Sequence, residues 1–378
     1  MVADHPLAWL DAHADARRAA GLRRELRPRP AGEPGIDLAG NDYLGLSTDP
    51  RVVAGGIEAL RTWGAGSTGS RLVTGTTALH AELEREVAAF CGAESALVFS
   101  SGYAANLGAL TALSGPGALI VSDVANHASL VDACRLSRAR IVVADGPAAV
   151  DAALAARTES RALVVTDSVN SVDGGLAPLR ALHAVTRERG ALLVVDEAHG
   201  LGVCGPGGRG LLAAVGLAGA DDVVATVTLS KALGSQGGAV LGPAAVTAHL
   251  VDTARSFIFD TGLAPACVGS ALAALRVLAA EPALPAAVLR AAADLADAAG
   301  VPVPESSVVS VVLGEPERAL AAARRCAELG VRVGCFRPPS VPVGTSRLRL
   351  TARATLTADE LDRVRAVLAE VLAPAAAR

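Results

Sequence analysis

Apolar runs of strand length recur through the first two thirds of the chain, at Ala96–Phe99, Ala118–Val121, Arg140–Val143, Ala162–Thr166, Ala191–Val195, Val223–Thr228 and Gly238–Leu241. They are nearly continuous in Val, Leu and Ile rather than alternating, as strands covered on both faces are. Helix-length stretches separate several of them: Gly102–Leu113, Ala128–Ser137, Val150–Arg157 and Leu179–Glu188. This alternation predicts βαβ units, and hence an α/β fold with a mostly parallel sheet flanked by helices. From about Ala264 the texture changes to a long alanine-rich helical stretch reaching Arg290 and beyond. Short strands at Val308–Leu313, Val331–Val333 and Arg347–Leu350, with helices at Glu317–Leu329 and Ala358–Leu372, predict a smaller α+β unit. The expected division is an N-terminal helix and connector (1–40), a large α/β domain (41–265) and a small C-terminal domain (266–378). A chain of 378 residues is long enough for more than one core.

Composition narrows the function. The net charge of −4 and the lack of an arginine run interleaved with aromatics argue against a nucleic-acid partner. The N-terminal thirty residues are charged and have no apolar core like that of a secretion signal. The longest charge-free stretch, Ser95–Ser122, is interrupted by Ser, Gly, Asn and Pro and makes a poor membrane span. A soluble, cytoplasmic protein is expected. Six scattered cysteines with no C-x-x-C pair read as reduced, buried small hydrophobes, with no metal site.

Lys and Arg total 34, and only Lys231 is a lysine. On a solvated face that exchange changes little. A guanidinium, however, stays protonated near neutral pH and cannot serve as a nucleophile, whereas a desolvated ammonium loses its proton readily. Lysine is therefore the basic residue for Schiff-base chemistry. Lys231 follows the apolar strand Val223–Leu229 and precedes a glycine-rich segment, Gly234–Gly238. Strand ends of this kind carry the sites of α/β proteins.

Asp196-Glu197-Ala198-His199-Gly200 also follows a buried strand. The same letters occur in DEAH-box ATPases, but a P-loop needs a Lys followed by Ser or Thr, and Lys231 is followed by Ala232. Pyridoxal phosphate (PLP) suits the residues better. Asp196 would hold the pyridine nitrogen protonated so that the ring draws electrons from a substrate α-carbon. His199 and Ser171 are candidates for the phenolic oxygen. Ser100-Ser101-Gly102-Tyr103, at a strand-to-helix junction, offers free backbone N–H groups to a phosphate. Thr228 and Ser230 add hydroxyls, and His127 offers an imidazole to stack on the ring.

Taken together, these motifs resemble the α-oxoamine synthases, a family of fold-type I PLP enzymes. The resemblance rests on N-D-Y-L-G-L (Asn41–Leu46), G-A-G-S-T-G-S-R (Gly64–Arg71), S-G-Y (Ser101–Tyr103), N-H-A-S-L (Asn126–Leu130), D-E-A-H-G (Asp196–Gly200), T-L-S-K-A-L-G (Thr228–Gly234) and R-P-P-S-V-P-x-G-T-S-R-L-R-L-T (Arg337–Thr351). It implies an aldehyde adduct on Lys231, Asp196 at the ring nitrogen, His127 stacked on the ring, and Ser171 and His199 at the phenolic oxygen. It places Gly102, Tyr103 and Thr228 at the phosphate and brings Thr261 to it across a homodimer interface. Arg337 would grip the amino-acid carboxylate, with Arg349 as second candidate and Arg23 and Asn41 near the substrate. Within the family, the length, the N-D-Y-L-G-L form and especially Arg337–Pro342 look most like the members that join L-alanine to pimeloyl-CoA or a pimeloyl-carrier protein. A sibling joining glycine to acetyl-CoA, or a PLP-fold subunit without catalysis, stays open at this stage. One departure stands out: Asn170 occupies the place of the family's usual aromatic in V-N-S-V-D-G.

Overall fold

The computed structural model describes residues 5–373. Its strands are β1 (Ile36–Leu38), β2 (Ser95–Phe99), β3 (Ala118–Asp123), β4 (Arg140–Ala144), β5 (Arg161–Asp167), β6 (Leu192–Asp196), β7 (Val223–Thr228), β8 (Gly238–Gly242), β9 (Val308–Gly314), β10 (Val331–Phe336) and β11 (Ser346–Thr351).

Seven of them form one sheet in the order β2-β8-β7-β6-β5-β3-β4. All run parallel except β8, which is antiparallel to both of its neighbours. The central strands are buried on both faces; Leu119, Val121, Leu193 and Val195 are inaccessible to solvent. That burial is why their sequences read as continuous apolar runs rather than alternating ones. The order reverses at β3, where β4 lies on one side and β5 on the other, and ligands of open α/β sheets bind outside such strand ends.

A second sheet has the order β1-β10-β11-β9. Its edge strand comes from the N-terminal connector, with Ile36, Asp37 and Leu38 opposite Val331, Arg332 and Val333. Three residues are too few to show a period, so this strand leaves no pattern in the sequence. The helix expected from Ala264 past Arg290 is instead two helices, Pro265–Ala280 and Leu284–Ala299, bent by 85°. Pro282 disfavours helical backbone at Glu281, which leaves the helix at φ −120°, ψ 67°. The first of the pair packs on helix Pro50–Trp63. Among the described residues, no single helix is long and apolar enough to cross a membrane.

Candidate active site

The C-terminal ends of β2, β3, β5, β6 and β7 supply the polar residues of one crevice. After β2, Ser101 caps helix Gly102–Leu113 by accepting from Ala104 N–H at 3.0 Å. Gly102 and Tyr103 are the first helical residues, so their N–H groups have no acceptor within the helix. Thr228 lies beside this terminus: a Cβ on Gly102 would sit 3.2 Å from Thr228 Cβ. A Cβ on Gly238 would lie 2.5 Å from Gly102 Cα, so the cradle closes only with glycine at 238. Thr228 Oγ1 is 2.7 Å from Ser230 Oγ. The Tyr103 hydroxyl is turned away and donates to Asp132 at 2.6 Å, which leaves its backbone for an anion.

Asp196 ends β6, is 6% exposed, and accepts from Ala198 N–H at 2.8 Å and Asn106 Nδ2 at 2.7 Å. Asn106, on helix Gly102–Leu113, also donates to Ser129 Oγ at 2.8 Å and accepts from Thr226 Oγ1 at 2.6 Å. Ser129 Oγ is in turn 2.8 Å from His127 Nδ1. His127 caps its own helix by accepting from Ser129 N–H. A single buried amide therefore links the carboxylate at the end of β6 to the imidazole after β3. Burial and the nearby Lys231 cation hold the His127 pKa below the usual histidine range, so the ring is disposed to be neutral.

Asp167 ends β5 directly opposite Asp196 in the ladder and accepts from His127 N–H at 2.7 Å. Burial, and then the Asp196 charge, push its carboxyl well above the usual carboxylate range. Two carboxylates on neighbouring buried strand ends repel unless one is protonated or a cation stands near.

Lys231 Nζ lies 2.9 Å from His199 Nε2. Burial brings the lysine down to about 8, opposed by the Asp196 and Asp167 charges and assisted by Arg349. The same burial, with Lys231, Arg349 and His127 nearby, holds His199 well below the usual histidine range. On its other side, His199 Nδ1 hydrogen-bonds the Tyr43 hydroxyl. Tyr43 donates to Asn41 Oδ1 at 3.4 Å, and Arg349 Nη2 donates to the same oxygen. When Lys231 is an ammonium, His199 Nε2 accepts from it and Nδ1–H donates to Tyr43. Burial, opposed by the Arg349 cation, raises the Tyr43 pKa above the tyrosine range, so the hydroxyl keeps its proton.

Arg349, on β11, is 7% exposed, stacks 5.3 Å from the Phe336 ring centroid, and has a buried Nε without a partner. Arg337 is placed differently. It donates to Gly21 O and lines an outer groove with Arg23. Of the two arginines considered for a substrate carboxylate, the fold brings Arg349 into the Lys231 cluster and leaves Arg337 at the rim. Arg23 is exposed and lies 3.6 Å from Glu25. Thr261 is exposed, bridged to Ser70. Ser171 sits in the loop Asn170–Gly175 and makes no side-chain hydrogen bond among the described residues. Asn170 Oδ1 accepts from Val172 N–H at 2.8 Å and Asp173 N–H at 3.2 Å, so it closes a turn where an aromatic would stack.

Glu197 faces the opposite way from Asp196. It is fully buried and accepts from Ser168 Oγ at 2.8 Å and Leu212 N–H at 2.6 Å. Among the residues of the cluster to which the sequence assigns no role are Tyr43, Asn106 and Asp167. Each left a signal. Tyr43 lies within a matched motif, Asn106 is a lone amide on an apolar helix, and Asp167 ends a buried strand as Asp196 does.

A phosphate cradle at a helix terminus, a buried carboxylate at a strand end and one desolvated amine are the donor set that PLP needs, and the residues fit it. The family model for class I and II aminotransferases matches residues 33–368. The chain is 70% identical over 373 residues to the 8-amino-7-oxononanoate synthase of Mycobacterium sp. (strain KMS), covering 98% of each. Its fold matches that of SPT with PLP as an internal aldimine at a TM-score of 0.89, with 30% identity and 97% of each chain covered. The 8-amino-7-oxononanoate synthase of Francisella tularensis matches at a TM-score of 0.75, with 25% identity over 89% of this chain and 98% of that one. The chain therefore belongs to the class I and II aminotransferase family and, within it, to the family of 8-amino-7-oxononanoate synthases.

Proposed function

We propose that this protein is a PLP-dependent acyltransferase that condenses L-alanine with pimeloyl-CoA, or a pimeloyl-carrier protein, to give 8-amino-7-oxononanoate, the free thiol and carbon dioxide, in biotin synthesis. The observation that carries the reading is the only lysine of the chain, half-buried against His199 at the strand end beside the one that carries Asp196.

Bound PLP supplies an aldehyde that bonds covalently to amines and a protonated ring that withdraws electrons from the substrate α-carbon. The protein's part follows from its own groups. Gly102 and Tyr103 N–H, Thr228 and Ser230 would hold the phosphate, and Asp196 the ring nitrogen. His127, fixed through Ser129 and Asn106, would cover one ring face. Lys231 Nζ, as a free amine, would be the base that takes the substrate α-proton and later returns one. With a pKa of about 8 it is poised for both directions near neutral pH. Neutral His199 orients that amine without competing for its proton. The carboxylate grip is assigned to Arg349, whose guanidinium is in the cluster and has a donor to spare, in preference to Arg337. Asn41 holds Arg349 in place.

A homodimer fits the surface. Helix Pro50–Trp63 exposes Val53, Ile57, Leu60 and Trp63 in an i, i+4, i+7, i+10 stripe, and Leu72, Val73 and Phe259 are exposed nearby in sequence to Ser70 and Thr261. Thr261, exposed and bridged to Ser70, is the residue that the resemblance assigns to the partner's phosphate in such a dimer.

Turnover of alanine against glycine, each with pimeloyl-CoA and acetyl-CoA, tests the reaction. Product from alanine and pimeloyl-CoA is expected. Release of product only from glycine and acetyl-CoA would overturn the assignment in favour of a sibling enzyme.

A further inference from the structure

The parallel register of β5 and β6 pairs Asp167 with Asp196, so two carboxyl groups stand side by side at neighbouring strand ends. Both are nearly out of water, at 9% and 6% exposed. Asp196 accepts from two donors, Ala198 N–H and Asn106 Nδ2, whereas among the described residues Asp167 accepts from His127 N–H alone. Hydrogen-bond donors favour the ionised form, so of the two it is Asp167 that is left to take a proton. Its surroundings agree. Burial raises the Asp167 pKa, and the charges of Asp196 and of Asp123, at the end of β3, add to the rise. The His127 N–H and the Lys231 cation, after β7, oppose it without reversing it. An asparagine would accept the same N–H without repelling Asp196, so the hydrogen bond by itself does not account for an acid here.

The same residue is tied to the His127 segment in both directions. Asp167 N–H donates to Asn126 Oδ1 at 3.1 Å, and Asn126 Nδ2 donates to Val165 O and to Ser122 Oγ, both at 2.9 Å. His127 N–H returns to Asp167 Oδ2 at 2.7 Å. Asn126 and His127 are thereby fixed to the end of β5, while Ser129 fixes the imidazole itself. A cavity of about 200 Å3 adjoins this junction, with Asp123, Asn126, Thr166 and Asp167 in its wall. It is polar and roomy enough for water to carry a proton from the carboxyl.

We infer that Asp167 is a positioning residue of the cofactor site: it fixes His127 over the ring, and with Asp196 it forms a carboxyl pair that holds one proton in the PLP-free protein and releases it when a cationic ring enters. This rests on the PLP-dependent reading above and deepens it. In the release the carboxyl O–H bond breaks, its electrons stay on the pair, and the proton passes to buffer. The ring cation supplies the balancing charge.

Calorimetry of PLP binding to the full-length protein, run in buffers that differ in heat of ionisation, counts the protons released. At about pH 6, roughly two units above where an unperturbed aspartate titrates, the wild type should release about half a proton or more beyond Asp167→Asn. The protons of PLP itself and of Lys231 are common to both proteins and cancel. In the wild type without any variant, the infrared difference spectrum at the same pH should show loss of one protonated-carboxyl stretch on adding PLP. Asp167→Asn keeps an oxygen for His127 N–H and Asp167→Ala does not, so the alanine variant should bind PLP about tenfold more weakly than the asparagine variant. Equal proton counts, or an unchanged carboxyl stretch, overturn the pair. Equal PLP affinity of the two variants overturns the positioning of His127. None of these measurements uses acyl transfer. A wild type that binds PLP with these signatures but turns over no thioester overturns the reaction reading and leaves Asp167 in its role, whereas failure to bind PLP overturns both.

Discussion

Lys231 Nζ and His199 Nε2 are 2.9 Å apart; the Lys231 cation lowers the basicity of His199 beyond what burial does, and the Arg349 cation does the same for Lys231. Burial gives the chain an amine brought down to about 8. The Asp196 and Asp167 charges keep that shift from going further. Replacing Lys231 with Arg keeps the charge but removes the nucleophile. Turnover should fall by at least about a thousandfold, within the range for a lost proton-transfer group. Borohydride reduction of the PLP-loaded protein should label the wild type and leave the variant unlabelled; full turnover in the arginine variant would end the argument.

The same shift has a signature in stability. The lysine is at about 8 in the folded chain and 10.5 in its ordinary state, so below pH 8 the fold carries the full cost of burying an ammonium. Between those values the unfolded chain binds more protons than the folded one, so stability rises with pH. In the PLP-free protein, Lys231→Met should therefore be more stable than the wild type below pH 8. The gain should shrink as pH climbs from about 8 toward 10.5, measured by urea denaturation at each pH. A gain independent of pH would contradict the assignment.

Arg349 and Arg337 make opposite predictions. Arg349→Lys loses the planar fork and leaves Asn41 Oδ1 poorly matched. The KM for the amino acid should rise by about tenfold or more, as for a lost charged hydrogen bond, while the PLP absorbance persists. Arg337→Ala removes a bond to Gly21 O at the rim, and the amino-acid KM should change much less. Steady-state kinetics with varied alanine decide between them.

Asn106 is the single amide that serves Asp196, Ser129 and Thr226 together. Asn106→Ala leaves three buried polar groups short of a partner and should destabilise the protein by about 2–3 kcal/mol. The His127 ring and the Asp196 carboxylate lose their common anchor. PLP affinity should fall along with thermal stability, followed by cofactor absorbance during dialysis; a destabilised variant that retains PLP as tightly as the wild type would limit Asn106 to a packing role.

Glu197 supplies a contrast within one motif. It braces the loop after β6, where a Cβ on Gly200 would lie 1.8 Å from Glu197 Oε2. Glu197→Ala orphans Ser168 and Leu212 N–H and should cost about 2 kcal/mol of stability. Asp196→Asn should leave stability closer to wild type and reduce turnover by more than about a hundredfold, as loss of a preorganised charge does. Paired melting and turnover measurements separate the two carboxylates, and equal stability losses would erase the distinction.

The large sheet was legible because its strands are covered on both faces and their composition says so. Lys231 and Asp196 were legible because an amine or a carboxylate directly after such a strand has few other reasons to be there. Tyr43, Asn106 and Asp167 gained their roles only when separate elements met. Asn106 bonds residues from β6, β7 and helix Ala128–Ser137, and no local pattern records that convergence. β1 was hidden for the same reason, since three residues become a strand only against β10.

The sequence by itself determined the fold class, the position of Lys231 and Asp196 at the ends of buried strands and the uniqueness of the amine, because burial period and residue type are local properties. Tertiary structure alone decided which arginine joins the cluster. Arg337 and Arg349 lie in one motif, yet β11 carries Arg349 inward opposite Gly334 while the turn after β10 leaves Arg337 against Gly21. A side chain's address depends on the sheet partner and the face it takes, and those are set by residues far away in the chain.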